Sequence, residues 1–450
     1  MRPHPAAYPL DAACPAPTRV VRAASGSSRG GNGRAGGAGV SEAGVRDVDV
    51  VVVGGGAAGL SLARHLVAGG GGPTVAVVEP PPGPVSSPPR TWCFWERGVG
   101  PLEAFVSASW DRMAVRGVHG EPLGSGRSPG HRYKMIRSAD FLPAVTAELA
   151  AHGRAEVVRA TVTGVHDGPR GARVTGVDAA GRTVRLQARW VFDSRPPRRL
   201  PPARTTWWQH FRGWFVQTRA DQFDPGVAEL MDFRTPQPPC GLSFAYVLPF
   251  GPRRALVEYT EFSPRPLDDA GYRAALEHYT RRVRPLGRFS VTGCEQGVIP
   301  MTDARFPRRC GASVFALGTA GGATRPATGY TFATVQRQAA AVAAALRAGR
   351  RPLPPRPHPR RHLAMDAAWL RALATGRIDG ADFFTRLFGD HPLPRVLDFL
   401  DGRSSPAADV ALGLRCPLWP MLHSLAELPF LPRRPHAAAT VPAPVPGKVS

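Results

Sequence analysis

The sequence contains very little lysine, and it has fewer acidic residues than basic residues. Lys occurs only at positions 134 and 448, so nearly all of the 57 basic residues are arginine, against 34 acids in 450 residues. The arginines are scattered among Ala, Gly and Pro, and no nucleic-acid-binding module accompanies them, which argues against a nucleic-acid partner. A surface this basic is compatible with an anionic membrane.

Paired cysteines and long apolar runs are also missing. The cysteines stand at 14, 93, 240, 294, 310 and 416, without a C-x-x-C pair. This spacing indicates neither a zinc site nor a disulfide framework, so we expect no metal and a reducing, cytoplasmic location. No apolar run reaches the roughly 18–20 residues that a membrane-spanning helix needs. Any contact with a membrane is therefore expected to be peripheral.

Residues 1–46 are rich in Gly, Ala, Ser, Pro and Arg and show no sustained apolar periodicity. This composition predicts a disordered extension. An acid-poor N-terminus rich in Arg and Ser is also typical of a transit peptide. The simpler interpretation, which we favour, is a dispensable extension or a start codon placed too far upstream. Residues 433–450 are expected to form a second disordered tail.

Residues 47–79 have the pattern of a complete βαβ unit. The valine-rich segment 48–53 predicts a buried parallel strand, and residues 74–78 predict a second strand that ends on Glu79. Between them a glycine turn leads into residues with helical periodicity. The glycines have the G-x-G-x-x-G spacing and are Gly54, Gly56 and Gly59.

This spacing and its flanking elements predict a dinucleotide site. Gly54 allows the tight turn, Gly56 leaves room for a pyrophosphate, and Gly59 lets the helix pack closely on the strand. The helix N-terminus, at Ala57, is expected to face the phosphates. The carboxylate of Glu79 is placed to accept hydrogen bonds from ribose hydroxyls.

Three later segments are expected to complete the cofactor site. Arg137 lies at a predicted junction between a strand and a helix, and Asp193 ends a buried strand. The loop 318–330 joins another buried strand to a long helix, which predicts a second turn facing the cofactor. A loop this rich in Gly, Thr and Pro is also typical of a linker, but its flanks favour the first interpretation. The expected contacts in this loop are Gly318, Pro326 and Gly329.

Aromatic residues cluster at 90–96 and 206–217, and residues 243–249 and 255–262 alternate like antiparallel strands. The first cluster is either a hydrophobic anchor of the preceding proline-rich loop or part of a cavity wall. Each aromatic side chain taken singly is more typical of a core, whereas together they suit an apolar tunnel. The residues expected to line that tunnel are Trp92, Trp95, Trp208, Phe211, Trp214, Phe244 and Tyr246.

Two further features each leave two interpretations open. Glu258 shares a strand face with Leu256, so it is either a solvated acid or a buried, functional one. Residues 360–432 predict short helices rich in Leu and aromatic residues. These helices either cap the second lobe or, at 419–431, lie in a membrane interface.

Taken together, these motifs resemble those of the flavin-dependent lycopene cyclases of the bacterial and plant type. The matching stretches follow the family's order from about residue 47 to residue 335, the later helices match more loosely, and residues 1–46 do not match. Besides the glycine unit, the stretches are RTWCFWE, YKMIRSADF, VFDSRP, QHFRGWFV, MDFRTPQ, FAYVLPF, LVEYTEFS, EQGVIPMTD and ALGTAGGATRPATGYTF.

The resemblance implies an α/β fold like that of the two-domain flavoprotein hydroxylases. A Rossmann-like FAD-binding domain is expected at 47–195 and 290–350, interleaved with an antiparallel-sheet substrate domain at 196–289. Helices at 360–432 follow. The implied partners are a carotenoid, lycopene, and the surface of a membrane.

The resemblance also implies the chemistry of lycopene β-cyclase, in which acyclic ψ end groups become β-ionone rings without net redox change. Reduced FAD is required, with NADPH as the expected source of its electrons. Protonation at C2 gives a tertiary carbocation, the C5=C6 bond closes on it, and a proton leaves C6. Glu258 matches the first acid of the family's Phe-Leu-Glu-Glu-Thr motif, whereas Tyr259 replaces the second. We expect Glu258 to supply the proton, because burial favours the neutral carboxyl.

Three alternatives share parts of this pattern. A flavin monooxygenase usually carries an Asp-Gly motif where this chain has Asp193–Ser194–Arg195. A geranylgeranyl-type reductase is the nearest enzymatic alternative, and a non-catalytic carotenoid-binding flavoprotein belongs to another class. The mass of the product separates them, because cyclisation leaves it unchanged, reduction adds hydrogen and hydroxylation adds oxygen.

Overall fold

A computed structural model describes residues 44–83, 88–128 and 130–437. Most of the predicted N-terminal extension and the end of the predicted tail lie outside these ranges. Residues 434–437, which the sequence assigned to the tail, form an edge strand that pairs antiparallel with residues 199–203.

The described residues form strands and helices in the following order. The strands are β1 (Arg46–Val53), β2 (Val75–Glu79), β3 (Thr91–Arg97), β4 (Ala108–Trp110), β5 (Arg112–Arg116), β6 (Pro122–Arg127), β7 (His131–Arg137), β8 (Ala155–Arg159), β9 (Thr161–Gly168), β10 (Gly171–Val177), β11 (Thr183–Asp193), β12 (Arg199–Ala203), β13 (Thr206–Thr218), β14 (Val227–Asp232), β15 (Leu242–Gly251), β16 (Arg254–Ser263), β17 (Phe289–Thr302), β18 (Val314–Ala316) and β19 (Arg434–Ala437). The α-helices are α1 (Ala57–Val67), α2 (Ser138–His152), α3 (Asp269–His278), α4 (Phe332–Arg347), α5 (Arg360–Ala374), α6 (Gly380–Gly389), α7 (Leu393–Leu400), α8 (Pro406–Gly413) and α9 (Leu418–Glu427).

The first sheet has the strand order β8-β2-β1-β11-β10-β9, with the short β18 beside β11. Strands β8, β2, β1, β11 and β18 run parallel. The side chains of Val50 to Val53 are at most 1% exposed, as expected for a parallel strand that is covered on both faces. Helices α1, α2 and α4 pack together over one of these faces. The βαβ unit read from the sequence is therefore present as β1, α1 and β2.

The second sheet has the order β17-β13-β16-β15-β14-β5-β6 and is antiparallel apart from the pair β14 and β5. Alternate residues of β16 enter different cores, since strand side chains alternate between faces. Leu256 and Phe262 pack with α5, α6 and α7. Val257 and Tyr259 pack with α3 on the other face. The helices α5 to α7 therefore cap this sheet, which was one of the two interpretations of the C-terminal region.

Two segments cross the predicted domain boundaries. Strands β5 and β6 lie in the range assigned to the cofactor domain but belong to the second sheet, and so does β17. Strands β3, β7 and β4 form a small separate sheet. The chain therefore passes between the two sheets more often than the sequence suggested, because β5 pairs with a strand more than a hundred residues later.

The end of the described chain exposes apolar side chains. Trp419 on α9 is 79% exposed, and Phe430, in the short helical turn after it, is 86% exposed. None of the helices within the described ranges is long and apolar enough to cross a bilayer.

Candidate functional site

A cleft of about 670 Å³ opens where β1 and β11 end. Cofactors of open parallel sheets bind at such carboxyl ends of strands. Gly54, Gly56, Ala57 and Glu79 line it, together with Gly318 from the loop after β18. The structure thus brings together five of the ten residues that the sequence assigned to the cofactor.

The three glycines of the first turn differ in what surrounds them. Gly54 has φ +98°, and a Cβ there would lie 2.6 Å from the hydroxyl oxygen of Ser194. A Cβ on Gly59 would lie 1.8 Å from the carbonyl oxygen of Gly54, so the close packing of α1 on β1 requires glycine. A Cβ on Gly56 would meet no atom within 4 Å. Gly54 and Gly59 are therefore required by the backbone conformation and the close packing of the turn, whereas Gly56 leaves open space in the cleft.

The carboxylate of Glu79 lies at the end of β2 and accepts a hydrogen bond from the backbone N–H of Gly55. This bond fixes the glycine turn against the second strand of the βαβ unit. It also places a negative charge at the edge of the cleft, where the sequence predicted contacts with ribose hydroxyls.

Apart from Gly59, which packs α1 against the turn, four predicted cofactor residues lie outside the cleft. Arg137 pairs with Asp140 at 2.8 Å, Asp193 pairs with Arg195 at 2.6 Å, and neither Arg137 nor Asp193 lines the cleft. Pro326 lines a different cavity. Gly329 lines a cavity beside the cleft.

Arg90 and Arg195 contribute positive charge to the cleft. Sequence reasoning assigned no role to either of them, because an arginine in this chain is too common to stand out.

A second cavity, of about 190 Å³, lies between the second sheet and the C-terminal helices. It shares a wall with the cleft, formed by Thr91, Trp92, Phe211, Ile299, Thr331 and Phe332. Trp95, Phe244 and Tyr246 line it from the sheets, and Phe384 and Phe388 line it from α6. The aromatic segment 90–96 is therefore a cavity wall, which was one of its two interpretations.

Two predicted tunnel residues lie outside this cavity. Trp208 lines the cleft but not the second cavity. Trp214 packs near Phe289, with 6.5 Å between ring centroids, on the face of β13 opposite Phe211. Phe211 and Trp214 are three residues apart, so strand alternation already places them on opposite faces.

Three tyrosines form a cluster in the wall of the second cavity. The hydroxyl of Tyr246 donates to that of Tyr133 at 2.6 Å, and the rings of Tyr330 and Trp95 meet edge to face at 4.6 Å. Burial raises the pKa of Tyr133 and of Tyr246 well above the usual value. These phenols therefore stay neutral and offer π faces to the cavity.

Glu258 and Glu295 flank the same glycine. In the register of the second sheet, Gly213 of β13 lies beside Glu258 on one side and beside Glu295 on the other. Residues paired in this way share one face of the sheet. A Cβ on Gly213 would lie 3.4 Å from the Cβ of Glu258 and 3.4 Å from the Cγ of Glu295. The missing side chain of Gly213 thus leaves the space in which the two acids approach.

Both acids are buried, but their surroundings differ. Burial raises the pKa of Glu258 well above its usual value, the charge of Glu295 raises it further, and a hydrogen bond from Thr260, at 2.9 Å, opposes these effects. Burial also raises the pKa of Glu295, but a hydrogen bond from Thr91, at 2.7 Å, and the charge of Arg90 both lower it. Glu258 is therefore the better proton holder, and the solvated interpretation of this residue does not hold.

Glu261, three residues further along β16, provides the contrast. It lies on the opposite face of β16 and accepts a hydrogen bond from the hydroxyl of Tyr259 at 2.8 Å. Burial alone would raise its pKa, but the contacts with His210 and Tyr259 outweigh burial and lower it. Two buried acids on one strand thus have opposite protonation preferences.

Glu295 was not among the site residues predicted from the sequence. The available signal was Gly213, a glycine inside an otherwise aromatic strand, which often marks a close approach of neighbouring groups. Within the described residues, no group of three or more His, Cys, Asp or Glu side chains is arranged to hold a metal ion.

Comparisons with known proteins give a family and a fold. A model of the family described as "Lycopene cyclase protein" matches residues 49–426. One curated relative, a lycopene beta-cyclase from Paracoccus sp., is 31% identical over 179 residues, which are 37% of this chain and 44% of that protein. The match thus spans less than half the length of that relative.

Two solved structures resemble the whole arrangement. A geranylgeranyl bacteriochlorophyll reductase-like protein from Thermoplasma acidophilum has a TM-score of 0.60 at 16% identity, covering 86% of this chain and 100% of that one. Aklavinone-11 hydroxylase, solved with FAD and aklavinone, has a TM-score of 0.54 at 18% identity, covering 79% of this chain and 73% of that one.

At these identities the structural likeness shows the fold alone. The fold is that of FAD-dependent flavoprotein hydroxylases and reductases, a mixed α/β arrangement with several sheets and C-terminal helices, which confirms the fold class expected from the sequence. The family match extends through both sheets and most of the C-terminal helices. The chain therefore belongs to the lycopene cyclase family.

Proposed function

We propose that this protein is a lycopene β-cyclase that converts the ψ end groups of lycopene into β-ionone rings, an isomerisation that requires reduced FAD. Membership of the family and the similarity to a named lycopene beta-cyclase support the proposal. The observation that carries it is the buried carboxyl of Glu258, which lines an aromatic cavity beside a cleft suited to a dinucleotide.

The residues of the cleft fit FAD. Gly56 leaves open space before the N-terminus of α1, where a pyrophosphate is stabilised by backbone N–H groups and the helix dipole. Glu79 and Gly318 lie at the same cleft and would hold the ribose and the neighbouring part of the cofactor. Reduced FAD, with NADPH as its source of electrons, supplies an anionic, electron-rich surface when bound.

The reaction begins with proton transfer from Glu258 to C2 of the ψ end group. The pKa of Glu258, which is 8% exposed, is raised well above its usual value because the dry surroundings disfavour the carboxylate, which makes the carboxyl a proton donor. The C5=C6 double bond then closes on the resulting cation, and a proton leaves C6 to restore the double bond. The cavity contributes by excluding water, which would otherwise capture the cation.

The walls of the cavity suit a cation that has no hydrogen-bonding atoms. Trp95, Phe244 and Tyr246 present aromatic rings to it. A cation over such a ring is stabilised by about 0.5–2 kcal/mol, with the larger values in desolvated sites. Several rings together therefore contribute a substantial part of the stabilisation that the cyclisation needs.

The substrate also requires a route from lipid, since a carotenoid is insoluble in water. The exposed side chains of Trp419 and Phe430, with Leu422 and Leu425 on α9, form an apolar stretch that is followed in the chain by Arg433 and Arg434. Aromatic and Leu side chains beside arginine are typical of interfacial membrane contact. We include in the proposal that this surface docks peripherally on the cytoplasmic side of a membrane.

Expression in a lycopene-accumulating host tests the function. We expect a product with the mass of lycopene and a different chromatographic retention. A product heavier by hydrogen would instead identify a reductase, and one heavier by oxygen would identify a monooxygenase. Unchanged lycopene bound to the flavoprotein would favour a carotenoid-binding role.

A further inference from the structure

One row of residues crosses four strands of the second sheet. It runs from Glu295 on β17 through Gly213 and Glu258 to Tyr246 on β15. Glu295 lines the cleft proposed for the cofactor, and Glu258 lines the aromatic cavity. The two side chains therefore lie on one face of the sheet, on either side of Gly213, while each lines a different ligand space.

The state in which both carboxyl groups are negatively charged is energetically unfavourable at this position. Like charges repel more strongly in a buried site than in water, and the charge of Glu295 disfavours the charged form of Glu258. Two acids that share such a site hold one proton between them over a wide range of pH. The surroundings decide which acid carries it.

Those surroundings are asymmetric. Thr91 donates a hydrogen bond to Glu295, and Arg90 lies close enough to favour its negative charge. Glu258 has Thr260 as its hydrogen-bond donor and has no arginine beside it among the described residues. The negative charge of the pair therefore resides on Glu295 and the proton on Glu258.

Building on the function proposed above, we propose that Glu295 is a positioning residue that remains an anion beside Arg90 and thereby keeps the transferable proton on Glu258, so that the pair holds one proton before and after each turnover. Glu295 is 9% exposed, and its Cγ and the Cβ of Glu258 border the same gap left by Gly213.

In each reaction the pair donates one proton to the substrate and receives one proton back. The O–H bond of Glu258 breaks as a C–H bond forms at C2, which leaves the pair without a proton and with two negative charges opposite the cation. These charges stabilise the cation. When the C6–H bond breaks, its electron pair forms the new ring double bond and the proton returns to the pair. No oxidant or reductant is consumed.

The other ionisable groups near the pair do not titrate near neutral pH. Burial raises the pKa of the Cys93 thiol and of the Tyr246 and Tyr330 phenols, so these groups stay neutral. Burial also raises the pKa of the Cys294 thiol, next to Glu295. Burial lowers the pKa of Arg90 and the charge of Glu295 opposes this, which keeps the guanidinium charged. A titration near neutral pH in this region therefore reports on the pair.

Two variants of Glu295 separate a charge effect from a structural one. Glu295→Gln removes the charge but keeps an acceptor for Thr91, whereas Glu295→Asp keeps the charge. The first readout is the infrared carbonyl band of the protonated Glu258 carboxyl in the protein as isolated, identified by its loss in Glu258→Gln. In wild type this band disappears when Glu258 loses its proton. We expect Glu295→Gln to lower the pH at which the band disappears by at least about one unit, and Glu295→Asp to leave that pH near the wild-type value.

The second readout is the pH dependence of kcat/KM with reduced flavin. Activity needs the proton on Glu258, so it is present below the pKa of the pair and is lost as pH rises through that value. We expect Glu295→Gln to shift this alkaline limb to lower pH by at least about one unit and Glu295→Asp to restore it.

Two results overturn the inference. One is a carbonyl band that titrates identically in wild type and Glu295→Gln. The other is a variant whose activity falls equally at every pH, because a structural role lowers activity without moving the limb. If the wild-type protein gives no cyclised product, the proposed function fails, but the infrared titration still decides whether the acids share a proton.

Discussion

Gly213 lies between Glu258 and Glu295, and the absence of a side chain at this glycine brings the two buried acids together across three strands. A substitution at Gly213 therefore tests the site while leaving both acids in place.

Gly213→Ala is expected to fold but to lose stability and activity. Its Cβ would lie 2.7 Å from a methyl carbon of the fully buried Leu256 and would enter the gap between the acids. Overpacking of this kind typically costs about 1–3 kcal/mol. Urea unfolding and product formation measure the two effects. Gly293→Ala is the matched control, because its Cβ meets Phe215 at an ordinary 3.4 Å. Equal activity of the two variants would show that the gap has no functional role.

Glu258→Gln is expected to lower turnover at least about a hundredfold, or about 2.7 kcal/mol of barrier. The amide keeps the shape of the side chain but cannot supply a proton. Product formation is measured with equal flavin content and equal flavin reduction. Glu261→Gln is the control on the same strand, since Glu261 faces the other core and receives its hydrogen bond from Tyr259. Near-normal turnover by Glu258→Gln would remove this residue from the mechanism.

The same substitution is expected to change how stability depends on pH. Because burial raises the pKa of Glu258 above its usual 4.5, the stability linked to its protonation is full below 4.5 and is lost as pH rises through the folded-state pKa. The loss amounts to about 1.4 kcal/mol for each unit of difference between the folded and unfolded values. Glu258→Gln should therefore gain Tm relative to wild type as pH rises from 4.5 towards the raised folded-state pKa. Parallel Tm curves would contradict the raised pKa.

Substitutions in the glycine turn are expected to separate folding from cofactor binding. Gly56→Val places its side chain in open space, so it should give folded protein without FAD. Gly59→Ala should instead destabilise the protein, because its Cβ would overlap the carbonyl oxygen of Gly54. Flavin absorbance per protein and thermal unfolding measure the two outcomes. Stoichiometric FAD in Gly56→Val would refute the assignment of the cleft.

Removing the exposed aromatic residues at the end of the described chain is expected to weaken membrane binding. Trp419→Ser combined with Phe430→Ser deletes two side chains that are 79% and 86% exposed, so folding should be unaffected. Flotation with anionic liposomes should capture the wild type and lose the double variant. Val99→Ser, at a site 85% exposed elsewhere, is the control. If the double variant floats as well as the wild type, this surface is not the membrane contact.

The cofactor residues show where sequence reasoning is strong. Gly54, Gly56, Gly59 and Glu79 follow a local pattern in which one strand, one turn and one helix are contiguous. Gly54, Gly56 and Glu79 line the cleft and Gly59 packs against the turn, while their contacts with a cofactor stay a prediction. Arg137 depends instead on which neighbour its long side chain meets. In the structure that neighbour is Asp140. A local pattern does not determine such pairings.

The sequence by itself determined the βαβ unit and the strand that carries Glu258, because strand and helix periodicities are local properties of the chain. The fold class followed from the resemblance of its motifs to those of a known family. The alternation of side chains along a strand also implied that Phe211 and Trp214 lie on opposite faces of β13. Only the tertiary structure decided that Glu258 faces the helices α5 to α7, because those helices begin about a hundred residues later. It also decided that Glu295 lies one strand beyond Gly213. Register between distant strands is set by packing of the whole sheet against its cores, and no local pattern in β17 specifies it.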